Sequence, residues 1–404
     1  MADVTISQLT TVNALTANNF IPISDGAKTT KLGTESLFGF RNRIINGNMR
    51  IDQRNNGAIY VNNNTNYLFN IDRFRMGTII SGTTWGSGVI TGQQVNDAPP
   101  EFNKSLKLTV TTADPSPSFT TSYALIQPIE ANNVLDFSYG TNSAKPVTIS
   151  FWVKSSITGS FSLGYRANTE TGPSAGYHYV TQYTIFTANS WEYKKITIPG
   201  LTLGSKFRQS LVDSNSEGVA VYFDLGSGST STNLLNTWLD GQFIKVTGST
   251  SLIANLNATF YLTGLQLEVG NTATPFESRP IGLELSLCQR YYYKLRNDSA
   301  NQLSIAFLNS YASTRCFGGF TIPVQMRSSY PTTTFNKVTL RSAGFANDYT
   351  VSNMFLYDAS IGTNISLEVN TSSSVLGTGN FFHLNLLNGN TAGGSSFIAF
   401  DAEL

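Results

Sequence analysis

The chain has 404 residues, with 13% charged and 12% aromatic residues and a formal net charge of +1. It is too long for one ordinary β domain and long enough for two hydrophobic cores. The near-neutral charge provides no global field for nucleic acid or an anionic membrane, so we expect neither nucleic-acid binding nor membrane insertion. No apolar run approaches the ~20 residues that a membrane-spanning helix needs.

The first segment, residues 1–40, is polar and rich in threonine, and it is too short to bury a core of its own. It contains two short extended runs, 20–23 and 28–32, on either side of an Asp25-Gly26 turn signal. We therefore expect this segment to become ordered against another chain or another protein.

Residues 41–279 are predicted to form a β-sandwich of the jelly-roll type. Many short runs alternate between apolar and polar residues and are separated by turn residues, most clearly at 105–110, 147–154, 192–198 and 218–225. In the second run, one face carries Val147, Ile149, Phe151 and Val153, and the other carries Thr148, Ser150, Trp152 and Lys154. The first set would face the core, which leaves Trp152 on a surface that a ligand can reach.

Residues 280–296 are predicted to form one short linking helix. Pro280 suits the first turn, Glu284 lies early, and Lys294 lies late, as the helix dipole favours. Five positions at spacings of three and four form an apolar stripe: Ile281, Leu285, Cys288, Tyr292 and Leu295. The stripe fits either packing against a sheet or a short coiled coil, and the sequence leaves both open.

Strand signals resume in residues 297–404, at 303–307, 320–326, 365–369 and 398–404, and they predict a smaller β-sandwich. Pro323 within the second run indicates an edge strand or a bulge. The predicted fold class is therefore all-β, with a jelly-roll sandwich and a smaller C-terminal β-sandwich joined by one short helix.

The sequence contains few residues that could build a catalytic or metal centre. His178 and His383 are the only histidines, and Cys288 and Cys316 lie too far apart to form a ligand motif, so we expect two free thiols. Residues 213–224 have the oxygen spacing of a calcium loop, but 219–225 alternates as a strand, which favours a hairpin. We predict no cofactor and no enzymatic activity.

Three passages resemble bacteriophage tail-fibre and minor structural proteins. Residues 42–54 (NRIINGNMRIDQR) with 72–74 (DRF) are similar to the start of a jelly-roll domain that is common in those proteins. Residues 260–270 (FYLTGLQLEVG), 274–277 (TPFE) and 287–292 (LCQRYY) resemble the last strand of that domain and its exit. Residues 6–9 (ISQL) and 21–25 (IPISD) are similar to N-terminal segments of the same appendage proteins.

The resemblance implies a fold related to carbohydrate-binding modules, carried on a viral appendage that is usually a homotrimer. Related sugar-binding modules often hold a structural calcium through an acidic residue after the first Asn-Gly and an aspartate in the last strand. The corresponding places here are residues 48–50 and Thr263-Gly264, which lack those acids. The resemblance therefore does not extend to this calcium site.

Aromatic residues among Asn, Ser and Gly are the remaining functional signal, because a sugar ring packs on an aromatic face while polar neighbours bond its hydroxyls. The predicted glycan-binding residues are Trp85, Trp152, Tyr177, Tyr179 and Tyr349. Tyr165, Trp191 and Trp238 have similar neighbours, and Trp191 is assigned to packing. The alternative is that most of these rings lie in the core or between subunits.

The predicted function is a phage virion appendage, a tail fibre or receptor-binding protein, that attaches to a host-surface glycan. The protein would be made in the host cytoplasm, join other virion proteins through residues 1–40, and form a homotrimer with that segment and the 280–295 helix near its axis. Receptor contact is predicted in residues 297–404, at loops 341–349 and 388–394, in preference to the groove near Trp152. The alternatives are a capsid-surface or tail-associated structural protein and a glycan depolymerase.

Overall fold

The computed structural model describes residues 20–24, 29–33, 40–62, 68–77, 84–168, 176–202, 215–299, 301–342, 347–357, 362–372, 374, 376–387 and 395–403. The first two ranges form an antiparallel hairpin of β1 (Phe20–Ser24) and β2 (Thr29–Gly33), as the sequence predicts. The role of residues 1–40 in attachment stays a prediction.

Two sheets form the jelly roll. In chain order their strands are β3 (Tyr60–Asn62), β4 (Leu68–Ile71), β5 (Phe74–Gly77), β6 (Val89–Val95), β7 (Ser105–Thr112), β8 (Ala124–Glu130), β9 (Val147–Ser155), β10 (Gly159–Asn168), β11 (Gly176–Ile185), β12 (Glu192–Ile198), β13 (Glu217–Asp224), β14 (Thr232–Asn233), β15 (Trp238–Asp240), β16 (Lys245–Val246) and β17 (Thr259–Val269). One sheet has the order β15-β11-β10-β13-β8-β5-β4 and the other β12-β9-β17-β7-β6-β3, while β14 and β16 form a separate short pair. The described residues also include 3-10 helices at Ala131–Phe137 and Ser229–Ser231.

The two large sheets pack face to face around one apolar core. Phe151 on the six-stranded sheet lies 5.1 Å, between ring centroids, from both Tyr183 and Phe223 on the seven-stranded sheet. Offset and edge-to-face contacts of this kind stabilise a core beyond the burial of area alone. The core-facing half of the prediction for residues 147–154 is confirmed, since Val147, Ile149, Phe151 and Val153 are fully buried. On the opposite face Thr148, Ser150 and Lys154 are also buried, and only Trp152 is partly exposed.

The outer faces of the two sheets differ. On the seven-stranded sheet, Ile126 and Tyr222 form a second buried apolar cluster with Ile244, which belongs to the segment that follows β15. The outer face of the six-stranded sheet carries half-buried and exposed side chains along β12, including Tyr193. A face that remains accessible to solvent is the one on which a binding surface can form.

The predicted linking helix is shorter than the sequence indicates. Helix α1 spans Ile281–Gln289, and residues from Tyr292 form strand β18 (Tyr292–Asn297). The prediction of a helix through 296 is wrong in its second half, because the aromatic run pairs along a strand of the C-terminal domain. The apolar stripe from Ile281 to Leu295 therefore does not lie on one helix and does not support a coiled coil.

The remaining strands are β19 (Leu303–Ala312), β20 (Arg315–Thr321), β21 (Thr332–Asn336), β22 (Val338–Ser342), β23 (Asp348–Leu356), β24 (Asn364–Thr371), β25 (Phe381–Leu386) and β26 (Ser396–Asp401). Six of them close on themselves in the order β19-β20-β24-β23-β22-β25, and β18-β26-β21 form a separate sheet. The C-terminal part is all-β as predicted, but its main sheet is closed where two open sheets were expected. Only Phe320 and Thr321 of the predicted run 320–326 belong to a strand, since β20 ends at Thr321 before Pro323.

Buried arginines connect the jelly roll to the end of β26. The guanidinium of Arg73 pairs with the carboxylate of Glu403, with side chains that are 1% and 4% exposed, and also donates to the carbonyl of Pro128 at 2.6 Å. Arg54 pairs with Asp401 at 2.8 Å and with Glu403 at 3.2 Å. These pairs fix the C-terminal domain against the edge of the seven-stranded sheet.

Replacing Glu403 with glutamine should destabilise the fold, because it leaves the buried charge of Arg73 without its counter-ion. Loss of one partner of a buried ion pair costs about 3–5 kcal/mol. The control is Asp136→Asn, which removes a pair with Arg43 whose carboxylate is 45% exposed and should cost below about 1 kcal/mol. Urea denaturation of both variants checks this, and equal effects would show that the buried pair does not hold the domains together.

Candidate functional site

The outward-facing side chains of the six-stranded sheet lie in rows across its strands. One row joins Tyr193 on β12 and Trp152 on β9 as paired residues and ends at Thr263 on β17, which is buried under the connection between β6 and β7. A second row follows the ladder from β9 to β6 and consists of Lys154, Tyr261, Lys107 and Gln93. Because residues paired across antiparallel strands share a face, these rows form one surface.

Trp152 and Tyr193 form an aromatic pair at one end of this surface. Their ring centroids are 5.4 Å apart with an interplanar angle of 48°, Tyr193 is 44% exposed, and Trp152 is half-buried. Both are held by the β9–β12 ladder, so their backbone positions are fixed by hydrogen bonds on a sheet. We call these two rings the aromatic platform.

A polar and aromatic cluster lies beside the platform. The ammonium of Lys154 lies 4.2 Å from the ring centroid of Tyr261 and 5.1 Å from that of Trp191. Lys154 also bonds the carboxylate of Asp97, which accepts a second bond from Nε1 of Trp191 at 3.1 Å. The hydrogen bond from Lys154 lowers the pKa of Asp97, so the carboxylate stays ionised and keeps this cluster in place.

A cleft of about 420 Å³ opens next to the platform. Its lining residues come from the turn after the first Asn-Gly, the connection between β6 and β7, and the segment after β17: Asn48, Arg50, Glu101, Phe102, Asn103, Phe276 and Ser278. Phe102 and Phe276 meet edge to face with centroids 5.1 Å apart. The cleft therefore combines an aromatic wall with several hydrogen-bonding groups.

Gly264 lies between the cleft and the platform. A Cβ atom on this residue would lie 2.7 Å from Cζ of Phe102 and 3.1 Å from Cδ1 of Trp152, and its φ is +62°. Both the positive φ and the close approach of the two rings favour glycine. One residue of the β17 bulge thus lies against both Trp152 of the platform and Phe102 of the cleft wall.

The structure separates the five predicted glycan-binding residues. Trp152 lies on the outer surface, as predicted. Trp85 packs edge to face on Tyr123 and donates to the carbonyl of Gly88, and Tyr177 packs against the main core.

The other two predicted residues are also packing residues. Tyr179 is 6% exposed and contacts Trp238 in the core of the jelly roll. Tyr349 packs against the core of the C-terminal domain and meets Phe382 edge to face. The alternative given above, that most of these rings pack in a core, therefore applies to Trp85, Tyr177, Tyr179 and Tyr349.

Three residues of the surface were not among those predicted. Trp191 was assigned to packing, and Tyr193 and Tyr261 were not named, although all three lie on the outer face. The alternation of side chains along β12 could have identified Tyr193. It lies an odd number of residues from the buried Ile198 and an even number from Trp191, so Tyr193 and Trp191 are on the face opposite Ile198. The same alternation along β17 places Tyr261 on the opposite face of the strand from the buried Leu262.

The residues considered for metal binding are dispersed. Within the described ranges there is no group of three His, Cys, Asp or Glu residues that could hold a metal ion. In residues 213–224, which have the oxygen spacing of a calcium loop, Glu217–Asp224 forms strand β13, and residues 213–214 lie outside the described residues. Cys288 and Cys316 are buried free thiols, as predicted.

The closed C-terminal sheet has an exposed aromatic surface of a different kind. Its members are Phe307, Tyr311, Phe317, Phe355, Tyr357 and Phe381, and Phe307 is 68% exposed. Phe317 and Tyr357 stack with centroids 5.8 Å apart. Most of these rings are phenylalanines, which lack a polar tip for hydrogen bonding.

The loops predicted to contact a receptor lie partly or wholly outside the described residues. Residues 343–346 of the first loop and all of 388–394 are not described. Across the part of the chain that the structure describes, no helix has the length and apolar character needed to span a membrane.

No known protein-family model matches this sequence, and no curated protein sequence matches it. Among solved structures, the chain is similar to the enzymatically active domain of tailspike protein 4 of Bacteriophage CBA120, with 12% identity and a TM-score of 0.28. That match covers 57% of this chain and 22% of the tailspike chain.

The chain is also similar to the CBM22-2 xylan-binding domain of Paenibacillus barcinonensis Xyn10C, with 12% identity, a TM-score of 0.28, and coverage of 49% of this chain and 92% of that one. A structure of a CBM4 protein matches with 14% identity, a TM-score of 0.27, and coverage of 56% and 99%. At this level of similarity the matches do not assign a function to this chain.

Removing Tyr179 should destabilise the protein far more than removing Tyr193, because one ring fills the core and the other lies on the outer surface. Large-to-small substitution of a buried aromatic residue costs about 3–5 kcal/mol, so Tyr179→Ala should lower the free energy of unfolding by that amount. Tyr193→Ala should cost at most about 1.5 kcal/mol, the value of an aromatic pair contact. Urea denaturation measures both, and similar losses would contradict the assignment of the two rings.

Proposed function

We propose that this protein binds a glycan on the outer face of the six-stranded sheet, with the rings of Trp152 and Tyr193 as the stacking surface. The observation that carries the proposal is this aromatic pair, the half-buried Trp152 and the exposed Tyr193, on two hydrogen-bonded strands of the sandwich. Charged and amide groups lie next to the pair. An apolar sugar face packs on such rings, and its hydroxyls bond the polar neighbours.

The polar groups needed for hydroxyl recognition surround the platform. Lys195 is exposed on β12, Lys107 lies beside Tyr261 with its ammonium 5.7 Å from the ring centroid, and Asp97 is about half exposed at 48% of its side-chain area. Lys195 and Lys107 lie on strands β12 and β7, and side chains on strands keep their geometry better than those on loops, so less order is lost on binding.

The exposed aromatic surface of the closed C-terminal sheet fits a glycan less well. It consists mostly of phenylalanines such as Phe307 and Phe381, which offer apolar area without a donor or acceptor. We therefore place the glycan on the jelly roll rather than in residues 297–404, where the sequence placed receptor contact.

The wider role that we propose is the phage virion appendage suggested by the three resembling passages. In this proposal, residues 1–40 join other virion proteins, the chain is a homotrimer, and the glycan belongs to the host surface. The support is the resemblance at residues 42–54 and 260–270, which bond each other through Arg43, Gly47, Leu265 and Leu267. No catalytic step is part of the proposal.

Replacing Trp152 with alanine should weaken glycan binding about tenfold or more, since removal of a central aromatic contact costs ~2 kcal/mol. Binding of the full chain to an array of bacterial surface polysaccharides measures this. Tyr193→Ala should also weaken binding, whereas Tyr357→Ala, which removes an exposed tyrosine of the C-terminal sheet, should not.

Two results of the array experiment would contradict the proposal. One is that the unmodified chain binds no polysaccharide, and the other is that Trp152→Ala binds as well as the unmodified chain. Release of new reducing ends from a bound polysaccharide would instead favour the depolymerase alternative.

If the protein is a homotrimer, its mass in solution is three times the 43.9 kDa of one chain. Light scattering of the purified full chain at micromolar concentration measures the mass directly. A mass of one chain would contradict the homotrimer and leave the glycan site unaffected.

A further inference from the structure

The cleft beside the platform is lined by Arg50, whose guanidinium is not bonded by any other residue that the structure describes. Arg50 lines the cleft and has no ion pair or hydrogen bond to any described residue. Every other described arginine has at least one such partner: Arg41, Arg43, Arg54, Arg73, Arg75, Arg166, Arg279, Arg290, Arg296, Arg315, Arg327 and Arg341. Arg50 is a half-buried residue, and a guanidinium without a partner is available for an anionic group.

A second unused group lies at the same cleft. Asn48 is 7% exposed, and its Oδ1 has no hydrogen-bond partner in the described residues. Buried amide groups in folded proteins are nearly always hydrogen-bonded, and an unsatisfied one requires an explanation. Because Oδ1 itself is enclosed, a ligand in the cleft would be bonded by the Nδ2 group of Asn48, which has no acceptor among the described residues.

Glu101 lines the cleft from a constrained turn. The N–H of Phe102 donates to the carbonyl of Pro99 at 3.1 Å, and Glu101 has a φ of +73°, as in the third position of a type II turn. That position favours glycine or asparagine, so a glutamate there is unusual. Its carboxylate forms no ion pair with Arg50 among the described residues, which leaves the positive charge of Arg50 open to a ligand.

The aromatic wall of the cleft is continuous with the platform. Phe102 packs on Phe276 on one side and lies close to Gly264 on the other. Trp152 also lies close to Gly264. A chain of sugar rings on Trp152 and Tyr193 would therefore extend toward Phe102 and enter the cleft. The cleft volume of about 420 Å³ falls in the range of small-molecule sites.

We infer that this cleft binds a carboxylate-bearing sugar residue of the glycan, with the guanidinium of Arg50 as the partner of the carboxylate. The inference rests on the proposed function and names its ligand class, an acidic glycan such as one that contains a uronic acid. The planar fork of arginine bonds a carboxylate through two parallel N–H donors. The ring of the sugar packs on Phe102 and Phe276, and its hydroxyls bond Asn48 and Glu101.

Two monosaccharides that differ at one carbon test this ligand class. Galacturonate and galactose have the same ring configuration and carry a carboxylate and a hydroxymethyl group, respectively, at the sixth carbon. Saturation-transfer NMR on the full chain should give an affinity for galacturonate at least tenfold higher than for galactose. Equal affinities, or no signal from galacturonate, would overturn the inference.

Arg50→Gln should lower the affinity for galacturonate at least tenfold and leave the weak binding of galactose unchanged. The matched control is Arg43→Gln, since Arg43 is a nearby arginine that pairs with the exposed Asp136 outside the cleft lining. Far-ultraviolet circular dichroism and urea denaturation establish that both variants are folded. Galacturonate binding that is unchanged in Arg50→Gln would contradict the role of the guanidinium.

Combining this result with the polysaccharide array separates the inference from the proposed function. If array glycans bind in a manner that depends on Trp152 while galacturonate binding does not depend on Arg50, the cleft inference fails and the platform stands. If array binding is independent of Trp152, the proposed function fails, whatever galacturonate does at the cleft.

Discussion

The bulge in the last strand of the jelly roll is the constraint on which the surface depends. β17 pairs with β7 only as far as Leu262, and its register with β9 shifts between Thr263 and Gln266. Beyond the shift the free edge bonds the segment before the first turn, with the N–H of Leu265 donating to the carbonyl of Gly47 at 3.0 Å. A Cβ on Gly47 would lie 2.1 Å from the carbonyl oxygen of Leu265, so the close approach requires glycine.

The connection between β6 and β7 joins the two halves of the surface. Asp97 at its start holds Lys154 and Trp191 beside the platform, and Phe102 near its end forms the wall of the cleft. The hydroxyl of Thr263 donates to the carbonyl of Lys104 at 2.8 Å, which ties this connection to the bulge. A single backbone feature therefore positions the aromatic rings and the charged groups together, as recognition by stacking and hydrogen bonding requires.

Alternation predicted much of this arrangement, and its failures have physical causes. Residues 147–154 placed Trp152 outward from the sequence alone, because period-two patterning decides which face of a strand is buried. The tyrosine run from Tyr292 reads as a helix by spacing, yet pairing with β26 makes it a strand. The cleft was not predictable, since Arg50 and Phe276 line it together although more than 200 residues separate them, and no local pattern in the sequence records such a proximity.

Glycan binding on the outer face of the six-stranded sheet can be tested with the four tryptophans of the chain. Trp152 and Trp191 lie on that face, whereas Trp85 and Trp238 pack against the core. Indole N–H resonances of isotope-labelled protein, recorded during titration with a polysaccharide fragment that binds the chain, report on each ring separately. If glycan packs on this face, the Trp152 and Trp191 signals shift, and those of Trp85 and Trp238 stay unchanged. Saturable binding that leaves the Trp152 and Trp191 signals in place would contradict it.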